Sequence, residues 1–279
     1  MSKYLFYDID GTLIGASRKV SQKTVEGIRQ ARKNGHKTFL CTGRAPISIM
    51  KSIKDIGFDG IISSAGGFIS IGDKYIFENF IDQYLLLEVI LLFSNARILF
   101  SLETKDALYQ TPGVQEFFDQ KNNSILKENL ELARFFKERK NEEIKLPIRK
   151  FNIKKNKVTK ICFISEDKLA FYDCVKYLNE FFNIVIFSKE TDDFINGEII
   201  LKNCTKGDAI KRVTEYFKAK IEDTIAFGDS MNDYQMIEAA GYGIVSYLAP
   251  EKLKAIADDT FEDPDNDGIY KCMKQLELI

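Results

Sequence analysis

Aspartates stand just beyond apolar, strand-like runs near both ends of the chain. Asp8 and Asp10 follow Tyr4-Leu5-Phe6-Tyr7, and Asp229 and Asp233 follow Thr224-Ile225-Ala226-Phe227, more than two hundred residues later. A short apolar run bounded by turn residues reads as a buried strand, and ligand groups at strand ends collect at the carboxyl edge of an open parallel sheet. If the two runs are neighbours, four like charges meet, each close pair repelling by roughly 4 kcal/mol at an effective dielectric near 20. A cation then has to sit among them, and an all-oxygen ligand set suits a hard divalent ion such as Mg²⁺.

The rest of the pattern agrees with a sheet shared by both ends. Up to about residue 80, strands expected over 4–7, 37–41 and 60–63 alternate with helices, the mark of parallel strands joined by crossovers. Ser21 caps the first helix, whose Val25, Ile28 and Ala31 recur at three-residue spacing before Gly35 stops it. A second helix is expected over 47–56, and Gly66-Gly67 makes a turn. Alternation resumes beyond Gly197, with strands over 199–201, 224–227 and 242–245 and helices over 206–218 and 232–240. Between them the rhythm changes to a long apolar helix, strands over 97–102 and 158–165, a charged helical region and an amphipathic helix over 167–182.

The expected architecture is therefore α/β: a parallel-sheet core in two parts, 1–81 and 197–279, interrupted by an α+β domain at 82–196. An insertion there is expected to lie over the strands' carboxyl edge and act as a lid. The chain has 279 residues, 45% of them hydrophobic, enough for two cores.

Forty basic and 41 acidic residues leave a formal charge of -1, which argues against a polyanion-binding surface. The basic run at 145–160 (Lys145, Arg149, Lys150, Lys154, Lys155, Lys157, Lys160) reads as solvated surface rather than a nucleic-acid patch. Five scattered cysteines without a C-x-x-C pair suggest neither disulfides nor zinc and fit a reducing cytoplasm. No signal peptide is read at the N-terminus, and the apolar stretch at 84–100 is interrupted by Glu88, Asn95 and Arg97, short of the ~20 residues that cross a bilayer. The pairs Phe117-Phe118, Phe135-Phe136 and Phe181-Phe182 read as core of the inserted domain.

Four motifs carry the chemistry. In Asp8-Ile9-Asp10-Gly11-Thr12-Leu13 two carboxylates one residue apart leave a strand on the same side, and Gly11 supplies the turn that faces backbone N–H groups toward an anion. Thr42-Gly43-Arg44 offers a hydroxyl, an N–H and a guanidinium at the same edge, a cradle for phosphate. Lys206 opens a helix, where the dipole disfavours a cation, so an anion must offset it. Gly228-Asp229-Ser230-Met231-Asn232-Asp233 brings two carboxylates at a four-residue step. His36, the single histidine, reads as a turn residue.

In this order, D-x-D-G-T-L, T-G-R, a lysine followed by glycine, and G-D-S-x-N-D resemble the haloacid dehalogenase (HAD) superfamily, with its Rossmann-like core. The long insert between the second and third motifs resembles the C2B-capped, Cof-type sugar-phosphate phosphatases. The pattern departs from that branch at Ala65, usually asparagine, and at Ser246-Tyr247-Leu248-Ala249.

The resemblance implies that Asp8 is the nucleophile that becomes an aspartyl-phosphate and that Asp10 is first acid, then base. Mg²⁺ is implied on the Asp8 carboxylate, the Asp10 backbone carbonyl and Asp229, with Asp233 completing or orienting the shell. The Ile9 and Gly43 N–H groups, Thr42, Lys206 and Asn232 are implied to hold phosphate oxygens. Uncatalysed phosphate-monoester hydrolysis is slow enough that enzymes reach ~10²¹-fold acceleration, so nucleophile, metal and cation have to converge.

The expected activity is Mg²⁺-dependent hydrolysis of small phosphorylated metabolites, sugar phosphates first. A phosphomannomutase-like phosphotransferase and an inactive phosphometabolite-binding protein remain as alternatives. The expected partner is the small metabolite, with no nucleic acid and no membrane; oligomeric state is not encoded.

Overall fold

The protein is described here by a computed structural model covering residues 2–125, 144–188 and 190–279. It divides into two compact units. The first comprises Met1–Arg44, Ile49–Glu78 and Cys204–Ile279; the second comprises Ala45–Ser48 and Asn79–Asn203.

The first unit is built on strands β1 (Tyr4–Tyr7), β2 (Lys37–Cys41), β3 (Gly60–Ser63), β4 (Phe68–Ile71) and β5 (Lys74–Glu78), joined late in the chain by β12 (Thr224–Gly228), β13 (Tyr242–Ser246) and β14 (Asp259–Phe261). Their order is β14-β13-β12-β1-β2-β3-β4-β5. Pairing is parallel from β14 through β3, and β4 and β5 add an antiparallel hairpin. The two aspartate-bearing strands are direct neighbours, with Tyr7 opposite Phe227.

Both sheet faces are covered, which is why the central strands are apolar on both sides. On one face Leu5, Tyr7 and Leu40 pack with Ile28 and Ala31 of helix α1 (Gln22–Lys33) and with Ile269 and Met273 near the C-terminus. Ser21 caps α1 by accepting from the Thr24 N–H, as its sequence position predicts. On the other face Phe6, Phe39 and Cys41 pack with residues 209–213 and with Met236 and Ile237. The helix expected over 47–56 is split into a 3₁₀ turn (Pro46–Ser48) and a short helix (Lys51–Lys54), because Met50 is extended.

The second unit holds helices α2 (Gln83–Asn95), α3 (Val114–Ile125) and α4 (Lys168–Phe181) and a six-stranded sheet. Its strands are β6 (Leu99–Thr104), β7 (Leu108–Gln110), β8 (Lys145–Pro147), β9 (Val158–Ser165), β10 (Phe182–Ile186) and β11 (Ile195–Leu201), in the order β10-β11-β9-β6-β7-β8. It is mostly antiparallel; only β7 and β8 run parallel. Leu86, Val89 and Phe93 of α2 and Phe171, Cys174 and Leu178 of α4 pack on one sheet face against Leu102, Ile161 and Phe163. Among the described residues no helix is long and apolar enough to cross a membrane.

Three expectations change. The strand expected over 199–201 as part of the core is the end of β11, which pairs antiparallel with β10 and β9, so the second unit extends to Asn203 rather than stopping at 196. Lys160, read as solvated surface, is buried between Glu198 at 2.6 Å and Glu103 at 3.3 Å. The aromatic pairs are only half interior: Phe117 and Phe182 are buried, Phe181 is exposed, and Phe135-Phe136 lie outside the described residues, as does much of the charged helical region.

Candidate active site

Three of the four motifs lie just past the carboxyl ends of parallel strands β1, β2 and β12, and the fourth, Lys206, opens a helix. Asp8 follows β1 directly, and its N–H donates to the Phe227 carbonyl at the end of β12. Gly11 has φ +95°, and a Cβ there would sit 2.0 Å from Oδ2 of Asp229. Glycine is thus required both for the turn and for the approach of the two acidic loops. Thr12, to which the sequence assigned no role, donates from Oγ1 to Oδ1 of Asp229 at 3.1 Å and fixes that carboxylate.

Lys206 begins helix α5 (Lys206–Phe217), capped by Thr205 through a reciprocal box with Asp208. Its ammonium is fully buried. It donates to Oδ1 of Asp8 at 2.6 Å, Oδ1 of Asp233 at 2.5 Å and Oδ1 of Asn232 at 3.1 Å. The anion demanded by a lysine at a helix start is therefore a pair of aspartates. Burial disfavours its charge, but Asp233 and Asp8 outweigh that and hold the ammonium well above the ordinary lysine value.

Asp8 shows the opposite balance. Burial pushes its pKa up to about 7, against the pull of Lys206 and with further repulsion from Asp233 and Asp10. Asp233 is held at both oxygens: Oδ1 by Lys206, and Oδ2 by the Asp229 and Ser230 N–H groups at 2.9 and 3.2 Å. Cys41 ends β2 close by, where burial raises its thiol pKa and keeps it protonated.

Asp8, Asp229 and Asp233 each offer a carboxylate oxygen, all within 4.8 Å of one another. An all-oxygen, partly buried set of excess negative charge fits a hard divalent cation. Asp10 does not join this group through its side chain, so a ligand role for it rests on its backbone carbonyl. Its carboxylate lies instead in the fork of Arg44, Oδ2 at 2.8 Å from Nε and Oδ1 at 2.7 Å from Nη2. The guanidinium expected in the phosphate cradle is thus turned to Asp10, a pairing the sequence reading missed.

The remaining cradle residues stand at the same strand ends. Ile9 is buried between the two aspartates, and its carbonyl accepts from the Leu13 and Ile14 N–H groups. Thr42 accepts at Oγ1 from the Arg44 N–H at 3.1 Å, which leaves its own O–H to donate. Gly43 follows it. Ser64 and Ala65, after β3, both take left-handed φ, +48° and +56°, and the Ala65 N–H donates to the Thr42 carbonyl. His36 accepts at Nδ1 from the Lys3 N–H, a structural contact as its sequence position suggests.

Comparison with known proteins agrees with this site. The profile of the haloacid dehalogenase-like hydrolase family matches residues 5–273. Phosphatase YwpJ of Bacillus subtilis is 27% identical, over 98% of this chain and 99% of its own. A haloacid dehalogenase-like hydrolase from B. subtilis superposes with a TM-score of 0.82 at 25% identity, covering 98% of this chain and 99% of that one. The HAD subclass IIB sugar phosphatase BT4131 superposes with a TM-score of 0.80 at 22% identity over the whole of both chains. The chain belongs to the haloacid dehalogenase-like hydrolase family. Within it, the chain is a phosphatase.

Proposed function

We propose that this phosphatase hydrolyses small phosphorylated metabolites, sugar phosphates first, with Mg²⁺, through a phosphoryl group carried on Asp8. The observation that carries the reading is the convergence of Asp8, Lys206, Asp229 and Asp233 at one edge of the sheet. Asp8 and Asp229 would hold the ion, with the Asp10 carbonyl, while Asp233, engaged at both oxygens, orients the shell. Bound there, Mg²⁺ would offset the carboxylates' charge and polarise a phosphoryl oxygen.

With Oδ1 of Asp8 held by Lys206, Oδ2 is the oxygen that attacks phosphorus. The P–O bond to the leaving group breaks as the Asp8–P bond forms, and the Asp10 carboxyl gives its proton to the departing oxygen. In the second half Asp10 takes a proton from water, the water oxygen attacks phosphorus, and the Asp8–P bond breaks. Lys206 neutralises and aligns the nucleophile, and Thr42, Asn232 and the N–H groups of Ile9 and Gly43 orient the phosphoryl oxygens. A reducing cytoplasm is part of the reading, supported by five buried cysteines, all free.

The test is a screen of phosphorylated metabolites with Mg²⁺, with EDTA, and with Asp8→Asn. Turnover confined to the wild type with metal supports the reading; turnover unchanged in Asp8→Asn removes it.

A further inference from the structure

Asp10 reaches the leaving group only if its carboxylate is aimed, yet it stands on a turn and is not among the side chains gripped by Lys206. What grips it is Arg44. Two N–H groups of one guanidinium meet two oxygens of one carboxylate, at 2.7 and 2.8 Å, and both side chains are largely shielded from water. A single contact leaves a carboxylate free to swing, whereas a two-point fork fixes its position and its plane.

The base of the fork is rigid as well. The Arg44 N–H donates to Thr42 Oγ1 at 3.1 Å, and its carbonyl accepts from the Ser64 N–H at 2.7 Å. The Thr42 N–H in turn donates to the Ile62 carbonyl, and the Thr42 carbonyl accepts from Ala65. Asp10 and Arg44 rise from β1 and β2, which are adjacent and in register with Tyr7 opposite Leu40, so the sheet itself brings the pair together. The left-handed residues Ser64 and Ala65 acquire a use here, since that turn presents the N–H groups that pin the strand end carrying Arg44.

We propose that Arg44 is a positioning residue for Asp10: it aims the carboxylate that transfers the proton, and does not act chiefly as a ligand of the phosphoryl group. This rests on the proposed role of Asp10 as acid and then base. The two roles for Arg44 separate by leaving group. A phosphate ligand helps every substrate alike. A residue that acts through Asp10 matters only where a proton must be delivered, for alkyl phosphates and not for an activated aryl phosphate whose leaving group departs as an anion.

The experiment compares kcat/KM for glycerol phosphate and for 2,4-dinitrophenyl phosphate, with Mg²⁺, in the wild type, Arg44→Ala, Arg44→Lys, Asp10→Asn and the double variant Arg44→Ala/Asp10→Asn. With glycerol phosphate, Arg44→Ala is expected to lose on the order of 10²-fold, the scale of one general acid, chiefly in kcat. Arg44→Lys is expected to lose nearly as much, because an ammonium cannot hold two oxygens in one plane. With the dinitrophenyl ester kcat/KM stays within about threefold, the leaving group needing no proton. A burst of dinitrophenolate survives while the steady rate falls, because only the later attack of water needs Asp10.

In the Asp10→Asn background Arg44→Ala adds nothing further, and added guanidinium ion restores part of the activity of Arg44→Ala. Equal losses on both esters, a loss confined to KM, or additive losses in the double variant would overturn the proposal and make Arg44 a phosphate ligand. A variant that merely misfolds loses both esters and the burst together, and Arg44→Lys, which keeps size and charge, then supplies the comparison. Failure of the underlying reading looks different: Asp10→Asn would then match the wild type on both esters.

Discussion

Lys206 in the first unit and Lys160 in the second are each fully buried, and each lies between two carboxylates. Lys206 has Asp8 and Asp233 at 2.6 and 2.5 Å; Lys160 has Glu198 and Glu103 at 2.6 and 3.3 Å. The difference is where the chain puts them. Asp8 and Asp233 stand on loops past strand ends, with Asp229 beside them as a third oxygen donor. Glu103, Lys160 and Glu198 are mid-strand residues on β6, β9 and β11, with Glu103 directly opposite Lys160. The first arrangement gathers three carboxylates about one ammonium at strand ends, the edge of an open α/β sheet where ligands bind. The second sets two carboxylates about one ammonium across three neighbouring strands, with the Cys162 thiol donating to Glu103 at 3.3 Å. The two clusters thus differ in placement: one lies at strand ends with a third carboxylate beside it, the other within a sheet.

That contrast can be broken by substitution. The largest effect is expected for Asp8→Asn, which should lower phosphomonoester turnover by on the order of 10⁴-fold or more, since losing a nucleophile disables the whole set; steady-state rates on any accepted substrate check it. Lys206→Met should follow, at on the order of 10²- to 10³-fold in kcat, the scale of one preorganised charge. Lys160→Met should leave kcat within a few-fold while costing about 3–5 kcal/mol of stability, because it strands two buried carboxylates. Urea unfolding of the two lysine variants side by side reads this directly. If Lys160→Met abolishes turnover in a protein that is still folded, the distinction between the two clusters is wrong.

A smaller effect concerns pH. In the metal-free protein Asp8 is raised to about 7 from the ordinary 3.8, so between those values the folded state holds a proton that the unfolded chain has released. Its contribution to stability is therefore greatest at the acid side of that window and declines as pH rises through it. Denaturation in EDTA at pH 5 and pH 8 should show this slope, and Asp8→Asn should flatten it. For the same reason Mg²⁺, if held by Asp8 as proposed, would have to displace a proton below about pH 7, and its affinity should fall as pH drops, measurable by calorimetry.

Much of the first unit was legible because its strands are short apolar runs closed by turn residues. Strands β1, β2 and β3 fall where those runs predict, and so do the helix cap at Ser21 and the strand-end aspartates. What the sequence could not show were choices made in three dimensions. The run ending β11 looks like any core strand, and only pairing with β10 and β9 assigns it to the second unit.

Lys160 sits in a basic stretch, and alternation along β9 only puts it on the face opposite Ile161 and Phe163; both faces of β9 are buried, and Lys160 lies there between Glu103 and Glu198 of the flanking strands. The hairpin of β4 and β5 had a signal that went unread, the Gly72-Asp73 turn between two alternating runs. The Arg44 fork belongs to the same class as β11: both partners were visible at adjacent strand ends, but a guanidinium at a phosphate site can choose phosphate or carboxylate, and packing decides.

The account stands or falls on whether Asp8 carries the phosphoryl group. The direct measurement is rapid acid quench of the enzyme turning over 2,4-dinitrophenyl phosphate with Mg²⁺, followed by peptide mass spectrometry. The account predicts one added phosphoryl group on the peptide containing Asp8, none in Asp8→Asn, and a larger trapped fraction in Asp10→Asn, where hydrolysis is slowed. Full turnover with that peptide unmodified at every quench time, or with the phosphoryl group on another residue, would contradict it.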